Sequence, residues 1–167
     1  MRAIIALSAL AFGQCFMPAY AAESVLLGKV IANVYTGESD ECPADSICLS
    51  GWYRWTITVS KTVSGPDVSG TVAAARMQHG EFLLDRNEVE KRLRHEEDFV
   101  FVLEKIIDAE KRAKLEADYY ILDLSPPLLM YCLDKKPREF GFPTDDFATL
   151  KYPHETSYCF DLPHWYE

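Results

Sequence analysis

Four histidines and five cysteines are the residues in this 167-residue chain best suited to nucleophilic or metal chemistry. Their spacing argues against both. His79-Gly80-Glu81 has the H-x-E half of a zinc–hydroxide deamination motif, but no P-C-x-x-C follows. His95-Glu96 and His154-Glu155 open like H-E-x-x-H, yet Phe99 and Tyr158 stand where the second histidine belongs. No G-x-S-x-G elbow and no glycine-rich phosphate loop occurs. The 26 acids supply many chance carboxylate pairs, none marked out for general acid–base work. Glu38, Asp40, Glu41 and Asp45 offer hard oxygen ligands, but the D-x-[DN]-x-[DN]-G order and the closing Glu of a calcium loop are missing. The expectation is therefore no catalytic residue, no metal site and no cofactor.

The cysteines find a better use once the first 21 residues are set apart. Met1 and Arg2 give a short positive start, Ala3 to Phe12 an apolar run, and Ala19-Tyr20-Ala21 a small-x-small cleavage site. Residues 1–21 read as an export signal, leaving a mature chain that begins at Ala22 in the periplasm or outside the cell. Gln14 before Cys15 argues against a lipid-modified cysteine, so Cys15 leaves with the signal. Four cysteines remain: Cys42, Cys48, Cys132 and Cys159. An even count in an oxidising compartment implies two disulfides, and four cysteines allow three pairings. Proximity favours Cys42–Cys48, pinching the acidic loop, and Cys132–Cys159, clipping the C-terminal tail. None of the spacings suits zinc.

The elements that would carry such a framework are mostly strands. Val25 to Tyr35 is β-rich, with Leu26, Gly28, Val30, Ala32 and Val34 on one face. Trp52 to Val63 alternates most cleanly: Tyr53, Trp55, Ile57, Val59 and Val63 face one way and Arg54, Thr56, Thr58, Ser60 and Thr62 the other. Ser64-Gly65-Pro66-Asp67 reads as a turn into a third strand, Val68 to Met77. Asp85-Arg86-Asn87-Glu88 has capping-box character before a short surface helix. Phe99 to Leu103 and Asp118 to Leu124 add two strands. Between them, Asp108 to Ala117 is charged and Ala-rich, a helical turn or an extended hairpin loop. Ser125-Pro126-Pro127 ends the last clear strand. The domain plan is thus residues 22–127 as a β-barrel and 128–167 as an aromatic-rich extension, expected to be irregular, packed on it and clipped by its disulfide.

The order strand, strand, strand, short helix, strand, strand resembles the OB-fold, a five-stranded Greek-key barrel. The segments VLLGKVIANVYTG, WYRWTITVSKTVSG, SGTVAAARM and DFVFVL resemble netrin-type domains more specifically, the modules shared by tissue metalloproteinase inhibitors and related secreted proteins. The likeness covers residues 25–107 and includes a Lys-x-x-x-Gly turn at Lys61 and Gly65. One departure matters. In those inhibitors an N-terminal cysteine engages the target's zinc, whereas this mature chain begins Ala22-Glu23, so that chemistry does not carry over.

Composition narrows the function further. Seventeen Lys plus Arg against 26 Asp plus Glu give −9, one unit more negative after loss of Arg2. An acidic chain without clustered cations is unsuited to nucleic acid. No apolar run of the mature chain reaches the roughly 20 residues of a membrane-spanning helix. What remains is a small monomeric protein that acts by binding, most naturally to another protein in an inhibitor- or immunity-like role. A carbohydrate-binding module is the alternative, and a carboxylate-based hydrolase the third reading. Candidate binding residues are the aromatics Trp52, Tyr53, Trp165 and Tyr166. Against them stands the possibility that Tyr53 and Trp55 simply fill the barrel core.

Overall fold

The computed structural model describes residues 22–39, 50–79, 98–126 and 130–162. Five strands, β1 (Glu23–Tyr35), β2 (Ser50–Ser64), β3 (Thr71–His79), β4 (Phe99–Lys105) and β5 (Tyr119–Ser125), form a closed barrel in the order β1-β2-β3-β5-β4. All neighbours are antiparallel except β3 and β5, which pair in parallel through Ala74–Tyr119 and Ala75–Tyr120. This is the expected mainly-β, five-stranded barrel. A single α-helix among the described residues, α1 (Ala109–Leu115), joins β4 to β5. The helix expected from Asp85 onward lies outside the described residues.

The alternation of β2 is realised from Tyr53 to Val59, whereas Val63, expected on the same face, packs with the outer cluster of Val25, Leu27 and Phe142. Tyr53, Trp55 and Ile57 are buried in the barrel interior with Leu26, Phe101 and Leu103. In β1 the expected single face holds only in part. Register shifts at Val25/Leu26, Leu27/Gly28 and Val30/Ala32 interrupt the period-2 pattern. Such bulges rotate the strand, so Leu26 and Val30 point inward while Val34 is 47% exposed. At Gly28 the strands come close: a Cβ there would lie 2.7 Å from Ile57 Cγ2 and 2.9 Å from the Thr58 carbonyl oxygen. Gly65 serves the turn after β2, with φ of +82° and room for no side chain against the Glu23 carbonyl. The third strand starts at Thr71 rather than Val68. Val68 instead closes a local ring with Thr62, whose hydroxyl donates to the Val68 carbonyl (2.8 Å) and accepts from its N–H (3.1 Å).

Val25–Leu27 of β1 and Phe99–Leu103 of β4 are apolar on both faces because both faces are covered there. Phe99, Phe101 and Leu103 fill the barrel, while Val100 and Val102 lie with Val25 and Leu27 under the C-terminal extension. That extension is more regular than expected. β6 (Tyr131–Leu133), β7 (Ala148–Lys151) and β8 (Thr156–Phe160) form a second, three-stranded antiparallel sheet in the order β6-β8-β7. A 3-10 turn, Pro137–Phe140, connects β6 towards β7. Aromatic-rich, proline-broken sequence hid these short strands, which are stabilised by packing rather than by periodicity of their own. Leu133, Phe140, Phe142 and Phe160 bury against the outer faces of β1 and β4, each side chain stabilising by roughly 1.5–3 kcal/mol. Polar ties fix the register. Ser64 Oγ donates to the Phe140 carbonyl (2.7 Å), the Cys132 N–H donates to Ser125 Oγ (2.7 Å), and the Tyr131 hydroxyl donates to the Asp98 carbonyl (3.1 Å).

Cys132 and Cys159 face each other across β6 and β8 and form the expected disulfide. Cys42 and Cys48 lie outside the described residues, as does the segment read as an export signal. No helix among the described residues is long and apolar enough to cross a membrane.

Candidate functional site

The helix α1 is made by its cap. Asp108 stops the preceding strand direction, and its Oδ1 accepts from the N–H groups of Glu110 (2.8 Å) and Lys111 (3.2 Å). The helix ends at Glu116, whose left-handed backbone (φ 49°) turns the chain into β5. Lys111, Lys114 and Leu115 fall three and four residues apart and therefore share one face. Leu115 is the anchor on that face, buried against Ala75, Ile106 and Ala117. The two lysines are left to line the space beside it.

On the other side, the chain leaving β1 grips the start of β2. The Thr36 N–H (3.0 Å) and hydroxyl (2.8 Å) both donate to the Trp52 carbonyl, and the Trp52 N–H donates to the Glu38 carbonyl (2.8 Å). The Trp52 backbone is thus held from both directions, which fixes where its ring can go. That ring meets Tyr120 of β5, with centroids 5.6 Å apart and planes tilted by 41°. Tyr120 reaches this place because the parallel pairing sets it opposite Ala75.

The result is a cleft of about 230 Å³ lined by Glu38, Ser39, Trp52, Lys111, Lys114, Leu115 and Tyr120. Lys114 Nζ lies 2.9 Å from Glu38 Oε2, an ion pair that spans the cleft from helix to loop. Beside it, Arg54 on β2 pairs with Glu116 at the helix end, tying α1 to the barrel. Among the described residues the cleft therefore has an aromatic floor, a wall carrying two lysines and one acid opposite.

Trp52 is half-buried and lines this cleft. Tyr53 is 8% exposed and Trp55 1%, both in the barrel core. The Tyr53 ring packs against Tyr35 at 5.3 Å and offers no open face for stacking, so it leaves the set of binding candidates for the reason already weighed against it. Trp165 and Tyr166 lie outside the described residues. Among the other tail aromatics, Phe140, Phe142 and Phe160 are buried, whereas Tyr152 is exposed. Tyr120, Lys111 and Lys114 had no place among the sequence candidates. The usable signal was Asp108 as a helix cap, followed by the Lys111/Lys114/Leu115 spacing.

Of the four histidines, His79 is exposed with Nδ1 3.0 Å from Ser50 Oγ, and His154 is exposed between β7 and β8. His95 and His164, and the acids Asp40, Glu41 and Asp45, lie outside the described residues. Among the described residues no three His, Cys, Asp or Glu side chains converge as a metal site would require. The most perturbed pair of charges sits away from the cleft. Burial pushes the Asp123 carboxyl above the usual carboxylate range, against the N–H groups of Asp134 (3.0 Å) and Leu124 (2.8 Å) and nearby Arg76, which favour its charged form. Burial likewise lowers Arg76, with Asp123 opposing that shift. The hydrogen bond from the Asp134 N–H ties Asp123 of β5 to the start of the extension. No family model, curated protein or solved structure matches the chain.

Proposed function

We propose that this chain is a small exported binding protein that engages another protein through the cleft at Trp52 and Tyr120. The observation that carries the reading is the size and make-up of that cleft. At about 230 Å³ it is smaller than the roughly 300–1,000 Å³ of sites that enclose a small molecule. It has the dimensions for one anchoring side chain of a larger partner, with an aromatic floor and charged rim of the kind that concentrates binding energy at interfaces. The connections flanking it, β1–β2 and β4–β5, are those that OB-like barrels use to take ligands. An inhibitor- or immunity-like role fits the size, the acidity and the netrin-type resemblance, and rests on analogy of fold. A disulfide at Cys132–Cys159 suits an exported chain in an oxidising compartment.

The half-buried indole of Trp52 also favours a second reading, a carbohydrate module in which a sugar stacks on that ring. Affinity capture separates the two. Mature protein beginning at Ala22 would be incubated with its native envelope fraction and with a glycan array, beside a Trp52→Leu variant. Leucine keeps the apolar contact with α1 and removes the ring. A single protein retained by the parent and lost by the variant supports the reading. Retention of glycan without protein, or of the same protein by both forms, overturns it.

A further inference from the structure

We infer that two copies of this chain join edge to edge through β7, extending the three-stranded sheet across a two-fold axis into a six-stranded one. The pairing uses none of the cleft residues, and it makes the monomer expected from sequence the dilute form of the protein.

The backbone is the first argument. β7 stands at the end of the order β6-β8-β7 and, among the described residues, pairs with β8 alone. The Tyr152 N–H donates to the Glu155 carbonyl (2.9 Å) and the Glu155 N–H donates back to the Tyr152 carbonyl (3.2 Å). In an antiparallel ladder such mutually bonded pairs alternate with non-bonded ones. Leu150 opposite Ser157 and Ala148 opposite Cys159 are therefore the next bonded pairs. The N–H and C=O groups of Thr149 and Lys151 point the other way, to the open edge. Bulges, prolines and inward charges are the usual obstacles to pairing at an edge. The β7–β8 ladder has no register shift, and Ala148–Lys151 contains no proline and a single charge at its end.

Side-chain register is the second argument. Pairing Thr149 with Lys151 of a second copy uses only residues of β7 and closes four main-chain hydrogen bonds. It sets Leu150 against its own counterpart on the axis, with Ala148 against Tyr152 on either side. Read backwards along itself, the row Ala148, Leu150, Tyr152 thus places small opposite large, a match that an unrelated strand would have to reproduce. The three side chains share the sheet face of Cys159, opposite to that of Phe160, which packs on the barrel. Leu150 is 47% and Tyr152 69% exposed in the single chain, and the pairing covers both. Pairing Thr149 with itself instead would set Tyr152 against Asp146 and would need Phe147, beyond the strand, to reach the same number of bonds.

So short a seam falls well below the roughly 1,200–2,000 Å² of a stable interface, so the association is weak and depends on concentration. Each copy carries −9, and screening by salt should strengthen it.

Sedimentation equilibrium of the mature protein, from about 10 μM to about 1 mM, tests the inference. The mass should rise from one chain towards two, at lower concentration when salt is added. Amide exchange followed by NMR should slow at Thr149 and Lys151 as concentration rises, but not at Leu150, whose N–H is already bonded to β8. Thr149→Pro deletes an edge N–H that β8 does not use and should weaken association about ten-fold or more. Thr149→Val keeps that N–H and should leave association unchanged. Leu150→Glu brings two like charges together on the axis and should abolish pairing, which decides the matter if the proline variant does not fold. A single-chain mass at every concentration overturns the inference. So does association that survives Leu150→Glu or a folded Thr149→Pro, or exchange at Thr149 and Lys151 that ignores concentration.

Discussion

Replacing Cys132 and Cys159 together by serine should weaken the fold without dissolving it. The two residues lie 27 apart in sequence and directly opposite each other on β6 and β8. Closing a ring of that size removes unfolded-state entropy equivalent to roughly 3–4 kcal/mol when the folded geometry accommodates the bridge. The register does accommodate it, since the ladder already pairs these two positions. Against this loss stands the cluster of Leu133, Phe140, Phe142 and Phe160 on β1 and β4, which the substitution leaves in place. The extension should therefore stay docked in most molecules but open more often. For a chain of this length the predicted drop in Tm is about 10 °C. Thermal unfolding by circular dichroism measures the drop, and timed proteolysis with mapping of the first cuts shows whether they fall within residues 130–162. A fall of less than about 3 °C with an extension as protected as in the parent would mean that packing alone holds it, and would refute the entropic reasoning.

Further outcomes follow from the same packing. Phe142→Ala, which empties a fully buried site against Phe160, should cost about 3–5 kcal/mol by chemical denaturation. Gly28→Ala should cost about 1–3 kcal/mol, because the new methyl meets Ile57 and the immobile Thr58 carbonyl. Asp123 binds a proton more readily folded than unfolded, since burial raises its pKa. Its contribution is therefore most favourable below the ordinary carboxylate pKa and declines as pH rises through the folded value. Asp123→Asn should remove that decline, seen as a flatter stability–pH profile on the neutral side of pH 4. Peptide mapping of unreduced mature protein should return Cys42 joined to Cys48, and a Cys42–Cys132 or Cys42–Cys159 peptide would overturn the pairing.

The strands were legible where one face is buried and one is wet. In β2 the alternation of Tyr53, Trp55 and Ile57 with Arg54, Thr56 and Thr58 reads directly as inside and outside. β1 was less transparent because three register shifts move residues between faces, and no local signal marks a bulge except Gly28. The run Phe99 to Leu103 is buried throughout, the pattern of a strand covered on both sides. The cover itself was not legible, for β6, β7 and β8 span only three to five residues each, too few for a period to emerge. Their one sequence marker was the Cys132–Cys159 spacing. The cleft was half legible. Trp52 stands out in the sequence as an aromatic at a strand entrance, but Tyr120 lies far along the chain and joins it through the β3–β5 pairing, a long-range contact.

Site-specific photo-crosslinking tests most directly whether this cleft is where a protein partner binds. A photoreactive amino acid replaces Ser39, exposed at the cleft rim, or Thr149, exposed on β7 of the second sheet. Cells exporting each form are irradiated, and the products are resolved by mass spectrometry. Adducts to one protein from position 39, reduced by Trp52→Leu and absent from position 149, are the predicted result. No protein adduct from position 39, or the same adduct from both positions, would contradict it.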